Sequence, residues 1–200
     1  MTTEGLREAK RRATSQALSQ AAYDLALERG VDGFGIDDIV ARAGYSRRTF
    51  ANHFSCKEEA IAAVALQSVR DGFDGQASLT DDVPMLDWLA SIAHEQISAG
   101  LLVRLRILHD LSRDHPSLEP HLAQVEREVR KVAQRAIAAR APGLPAFTSH
   151  VVVGAVYGAL MSVIEGRIPL QFPGEKSAHP DSLTVREFID SVFNQLRRGF

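Results

Sequence analysis

Apolar residues return every three to four positions along most of this chain, the spacing of amphipathic helices and not of strands. Leu18, Ala21, Ala22, Leu25 and Ala26 make the inner face of a first helix that ends near Gly30. Ile36, Ile39, Val40 and Ala43 repeat the pattern in a short second helix stopped by Gly44, and Ser46 is placed to cap a third whose inner stripe is Phe50 and Phe54. A longer helix is expected from Lys57 through Ile61 and Val64 toward Asp71, followed by a loop over Gly72 to Asp82. The pattern resumes over Pro84 to Ala99, Leu101 to Asp114, Leu118 to Arg140, Phe147 to Ile168 and Thr184 to Arg198. Prolines 116, 120, 142 and 145 punctuate these segments, and Ile168 to Ser182 reads as a loop. Nothing alternates at period two for long. The chain is therefore expected to be all-α, with about nine helices: an N-terminal three-helix domain over residues 1–57 and a helical domain over 58–200.

Composition narrows the class. Hydrophobic residues form 45% of the 200 and charged residues 24%, the balance of a globular protein. The net charge of −2 is split, since residues 1–57 carry +2 and the remainder −4, which suits a chain that offers one end to a polyanion. The lone Cys56 rules out an internal disulfide. Met1 to Arg12 is polar, unlike a secretory leader, and the apolar run Val151 to Ile164 is broken by Gly154, Gly158 and Ser162 and shorter than a membrane span of about 20 residues. A cytoplasmic protein without a membrane partner is expected.

The segment from Ile36 to Phe54 has the helix, tight turn (Gly44-Tyr45-Ser46) and helix of a helix-turn-helix. At 100° per residue, Arg48 and Asn52 point away from the Phe50 and Phe54 stripe, with Thr49 and His53 at its flanks. A guanidinium suits guanine and an amide suits adenine in a major groove wide enough for a helix. Lys57, opening the next helix, is set to meet a phosphate. Arg7, Lys10, Arg11 and Arg12 precede the first apolar face, as a solvated arm or as further phosphate or minor-groove contacts.

The stretch from Gly33 to Glu58, and in particular Ile39, Ala43-Gly44, Ser46, Thr49-Phe50, His53-Phe54 and Lys57-Glu58, resembles the DNA-binding signature of the tetracycline-repressor (TetR) family. The resemblance covers about the first 65 residues and departs twice from the family pattern. Gly35 stands where a threonine commonly caps the second helix, so Asp37 is expected to supply the anion there. Ala51 stands where an aromatic residue is common, which removes a backbone contact and leaves room for a thymine methyl. What the resemblance implies is a DNA-binding set of Gly35, Asp37, Tyr45, Ser46, Arg47, Arg48, Thr49, Asn52, His53 and Lys57, on a duplex operator.

It also implies a homodimer built on the last two helices. Small residues recur one turn apart at Gly154 and Gly158 and at Ala155 and Ala159, which lets a second helix approach closely. The expected interface is Val151, Gly154, Ala155, Gly158, Ser162, Phe188, Val192 and Leu196. Trp88, Ile92, His94, Leu105, Leu108, His109, Val125, Tyr157 and Met161 are candidate walls for an unidentified small-molecule effector, mixing apolar, aromatic and a few polar groups. The function implied is repression relieved by that effector.

No catalytic, metal or cofactor site is expected. His94-Glu95 lacks the second histidine of a zinc-protease motif, which is Ser98 here, and Gly33-x-Gly35 lacks the third glycine of a dinucleotide loop. The rival readings are a helical metal-dependent phosphohydrolase, from His94, His109, Asp110 and Asp190, and an adaptor that binds only protein. A thiol sensor at Cys56, with Lys57 lowering its pKa, is a further alternative.

Overall fold

The structure, a computed structural model, describes residues 3–75, 83–98, 100–171 and 182–198. Among them are nine α-helices: α1 (Thr3–Arg29), α2 (Ile36–Ala43), α3 (Arg47–Ala51), α4 (Lys57–Gly75), α5 (Met85–Ser98), α6 (Leu101–Asp114), α7 (Glu119–Arg140), α8 (Ala146–Ile164) and α9 (Val185–Arg198). Two 3-10 turns, Val31–Gly33 and Pro116–Leu118, lie before α2 and α7. The all-α expectation holds, with one addition. Two strands of two residues each, β1 (Leu170–Gln171) and β2 (Leu183–Thr184), pair in parallel within the segment expected to be loop and at its edge. Such short strands carry no usable alternation. Most of the expected loop after α4, residues 76–82, lies outside the described residues, and α4 itself continues past Asp71 to Gly75.

The chain forms two compact units, Met1–Gln67 with Leu111–Val125, and Ser68–Asp110 with Glu126–Phe200. Compactness thus sets the break beyond Lys57 and draws a later segment into the first unit. In that unit Leu18, Ala22 and Leu25 of α1 are fully buried, as their helical spacing requires, and face α2. Gly30, at φ 71°, ends α1 by donating its N–H to the Ala26 carbonyl at 3.0 Å. Gly44, at φ 73°, ends α2 in the left-handed region that an L side chain disfavours. Tyr45 N–H then bonds the Val40 carbonyl at 2.9 Å, closing the helix end. The basic residues before Leu18 form no separate arm: α1 is helical from Thr3, and Arg7, Lys10, Arg11 and Arg12 ride on its exposed first turns.

The second unit has its own core, in which Trp88, Ile92, Leu102, Ile137, Ile164 and Phe193 are buried together. Helix α9 packs on α5 and α8. Its start is fixed by Thr184, whose hydroxyl accepts the Glu187 N–H at 3.3 Å while the Glu187 carboxylate accepts the Thr184 N–H at 2.8 Å. Arg197, in the last turn of α9, donates to the Asp87 carboxylate of α5, with Nε at 3.1 Å. Phe188 corrects an expectation: it is 4% exposed and sits in this core, so it is not available to an interface. The apolar stripe of α9 turns inward, and Val192 and Leu196 pack against the same core.

Helix α8 is the exception to one-sided burial. Val152, Val153, Val163 and Ile164 are buried, whereas Phe147 is 77% exposed and Val151, Gly154 and Gly158 are also exposed. At 19 residues it is longer than its uninterrupted apolar run, and by length and composition alone it could cross a bilayer. One such helix is weak evidence for a membrane span, because a covered helix in a water-soluble assembly has the same composition.

Phe50 is 1% exposed, so Phe50→Ala removes a full aromatic ring from the first unit. The expected cost is about 3–5 kcal/mol, read as a lower urea midpoint in chemical denaturation.

Candidate nucleic-acid interface

Two amide hydrogen bonds and two aromatic rings define the outward face of α3. Ser46 caps it as expected: its Oγ accepts the Thr49 N–H at 3.1 Å. Phe50 and Phe54, with ring centroids 5.7 Å apart, anchor the inner face. The helix ends at Ala51, and Asn52 caps it by donating its N–H to the carbonyls of Arg48 and Thr49, both at 3.2 Å. Arg47, Arg48 and Asn52 are exposed, Thr49 and His53 half-buried, and Tyr45 is exposed on the preceding turn. Partial burial, and secondarily the positive charge of Arg11, holds the His53 imidazole below its ordinary pKa, which favours the neutral ring. Helix α1 therefore brings a cation close to the end of α3.

The acidic start of α2 works differently from the expectation. Asp38, not Asp37, closes the helix end, its Oδ2 accepting the Gly35 N–H at 2.9 Å while Oδ1 accepts from Arg29 at 3.1 Å. The Gly35 bond, then the Arg29 guanidinium, hold its carboxyl below the usual range. Asp38 lies three residues beyond Gly35, where a side chain reaches back to the cap amide; Asp37 lies one residue too early. Asp37 receives both Nε and Nη2 of Arg47, and that pairing depresses its own pKa. Gly35 has an extended backbone, and a Cβ there would meet only Asp38 Oδ2 at 3.9 Å, so the missing threonine is not excluded by space.

The Lys57 ammonium donates to the Val31 carbonyl at 2.7 Å and the Phe34 carbonyl at 3.1 Å, 5.3 Å from the Phe34 ring centroid. An ammonium has three donors, and the turn between α1 and α2 presents two acceptors within its reach. Lys57 is therefore a strut that ties α4 to that turn. Cys56 Sγ lies 3.4 Å from His121 Nε2 and accepts the Glu59 N–H at 3.4 Å. His115 Nδ1 lies 3.4 Å from Asp32. These links join residues far apart in sequence, and no local pattern announces them.

The other expected sites distribute unevenly. Of the effector candidates, Trp88 and Ile92 are in the core of the second unit, Leu105 and Met161 pack against it, Leu108 is buried, and His109 is half-buried. Val125 belongs to the first unit. His94 is engaged by Asp190 at 2.9 Å, but the pair gathers no group of three or more metal-ligating side chains among the described residues. Trp88 Nε1 and the Tyr157 hydroxyl are buried, the former without a hydrogen-bond partner among the described residues and the latter beside the Glu126 carboxylate. Burial first and the Glu126 carboxylate second raise the Tyr157 pKa, and Arg130 lies 4.7 Å from its ring centroid. On the expected interface, Val151, Gly154 and Gly158 are exposed, Ala155, Ser162, Val192 and Leu196 are half-covered, and Phe188 is buried. Phe147, which composition did not single out, lies on the exposed face of α8 one turn before Val151.

The fold and this face define a helix-turn-helix protein of the type that carries a helical C-terminal domain. Residues 18–64 match the model of the bacterial regulatory proteins of the tetR family. A relative, the uncharacterized HTH-type transcriptional regulator YvdT of Bacillus subtilis, is 28% identical over 126 residues, 58% of this chain. The match spans 65% of that relative's length, just under two thirds. Among solved structures, a protein assigned to the TetR family from Syntrophomonas wolfei superposes with a TM-score of 0.59 at 16% identity, over 96% of this chain and 97% of its own. A transcriptional regulator of the TetR/AcrR family from Thermobifida fusca gives 0.50 at 21% identity, over 96% and 98%. These likenesses are of fold. The family likeness itself is confined to the N-terminal match over residues 18–64.

If Lys57 is a strut, Lys57→Met should destabilise the protein by about 1–3 kcal/mol with no DNA present, because two carbonyls lose a charged donor. Urea denaturation of the free protein measures this; a side chain serving only phosphate would leave the midpoint unchanged.

Proposed function

We propose that this chain is a DNA-binding transcriptional repressor that acts as a homodimer on a two-fold operator and is released by a small molecule. Residues 1–57 take the DNA and residues 58–200 the effector and the partner subunit. The observation that carries the reading is the outward face of α3, where the guanidinium of Arg48 has no ion-pair partner among the described residues and stands beside exposed Asn52, on a helix fixed by Ser46 and Phe50. The family match over residues 18–64 supports the same assignment. Ser46, Thr49 and the amides around them then meet the backbone, while Arg48 and Asn52 meet base edges.

The exposed stripe of α8 supports the dimer. Phe147, Val151, Gly154 and Gly158 fall at helical spacing on one face, and a Cβ added at either glycine meets nothing within 4 Å in this chain. An apolar face this open is costly in water unless a second copy covers it. Two-fold pairing would set two α3 helices about 34 Å apart, the separation of successive major-groove half-sites. An effector in the second unit would favour a dimer in which that separation is lost. The buried Trp88 indole N–H, which has no partner among the described residues, is a group such a molecule could satisfy. Action on chromosomal DNA would place the protein in the cytoplasm.

Gel-shift titration against the duplex upstream of its own gene tests the reading. Arg48→Ala should weaken specific binding by about 1–3 kcal/mol if the guanidinium is bidentate to a base. An adaptor that binds only protein would show no binding to lose. Gly158→Arg should keep the helical content, since the space is open within the chain, yet run as a monomer in analytical ultracentrifugation.

A further inference from the structure

The first residue of α3, Arg47, is exposed like its neighbour Arg48 but is engaged in an ion pair. Its Nε and Nη2 both donate to the Asp37 carboxylate, a two-point geometry that a guanidinium otherwise offers to a phosphate. The Asp37 carboxylate is not needed to close α2, because Asp38 does that. Nor does the pair anchor the fold, since the two side chains are 69% and 68% exposed and ion pairs at such exposure contribute little. Its consequence lies in what it occupies. One of the two guanidiniums at the start of α3 is neutralised, and a negative charge stands on the face proposed to meet a polyanion.

We propose that Asp37 is an internal stand-in for a DNA phosphate: it holds Arg47 in the free protein and must be exchanged for the duplex, which lowers affinity for DNA in general and reserves Arg47 for sites whose other contacts open the pair. The inference rests on the DNA-binding reading above. Sequence-independent affinity comes almost wholly from cations that neutralise phosphates, so one sequestered arginine and one added carboxylate bear most on non-specific complexes. A specific complex has base contacts to offset the exchange, and a random one has none. The pair therefore sharpens discrimination while weakening every complex.

The test is fluorescence anisotropy with the full chain, on the upstream duplex and on a scrambled duplex of equal length, across a series of salt concentrations. Asp37→Asn should bind the scrambled duplex about 3–10-fold more tightly at low salt and steepen the slope of log K against log salt by about one, with a smaller gain on the upstream duplex. In the double variant Asp37→Asn with Arg47→Gln most of that gain should vanish. Equal or weaker binding of Asp37→Asn to both duplexes overturns the inference, as does weaker binding to the upstream duplex alone, which would make Asp37 a guide for Arg47. Wild-type protein that binds neither duplex, or both alike, brings down the DNA-binding reading itself and this inference with it.

Discussion

A helix of five residues, Arg47–Ala51, is far below the length at which a helix holds together in water. It exists here because Phe50 is driven into the core of the first unit and Ser46 supplies an acceptor to one of its free amides. Every proposed contact with DNA depends on that burial. The ring fixes the rotation of α3 about its axis, and rotation decides that Arg48 and Asn52 face out while Phe54 faces in. The short helix ends in a further turn, so Asn52 is carried at its cap and not in its middle, still on the exposed side.

Around that helix the charges are apportioned by small differences in position. Asp37 and Asp38 are adjacent carboxylates with different tasks, because only the second reaches back to the Gly35 amide. Arg47 and Arg48 are adjacent guanidiniums with different partners, because only the first points toward the start of α2. Lys57 lies at the first turn of α4, where its long chain folds onto two carbonyls of the turn between α1 and α2. The surface available to a duplex is thus narrower than a count of basic residues suggests. In the second unit the same logic separates α8 from α9. Both carry apolar stripes, but α9 commits its stripe to the core beside Phe188 and Phe193, and α8 keeps one open through Phe147 and Val151.

Much of this was legible in the chain of residues. The helices recur at their expected places because periodicity reports which face each must bury, and removing apolar surface from water is the strongest force favouring the folded chain. The stops at Gly30 and Gly44 and the cap at Ser46 were equally readable, since they depend on the conformational freedom of glycine and on a hydroxyl within one turn of its donor. These are short-range matters, decided by residues within four or five positions of one another.

Other assignments came only from the folded chain. Phe188 in the core, the inward ammonium of Lys57, the Cys56 and His121 contact and the Arg47 clasp on Asp37 each join groups from different elements. A side chain's partner is set by which helix passes within a few ångströms of it, and that distance depends on packing between elements remote in sequence. Which face a helix buries is therefore written in its own residues. What a long polar side chain on it will touch is decided only when the other elements have arrived.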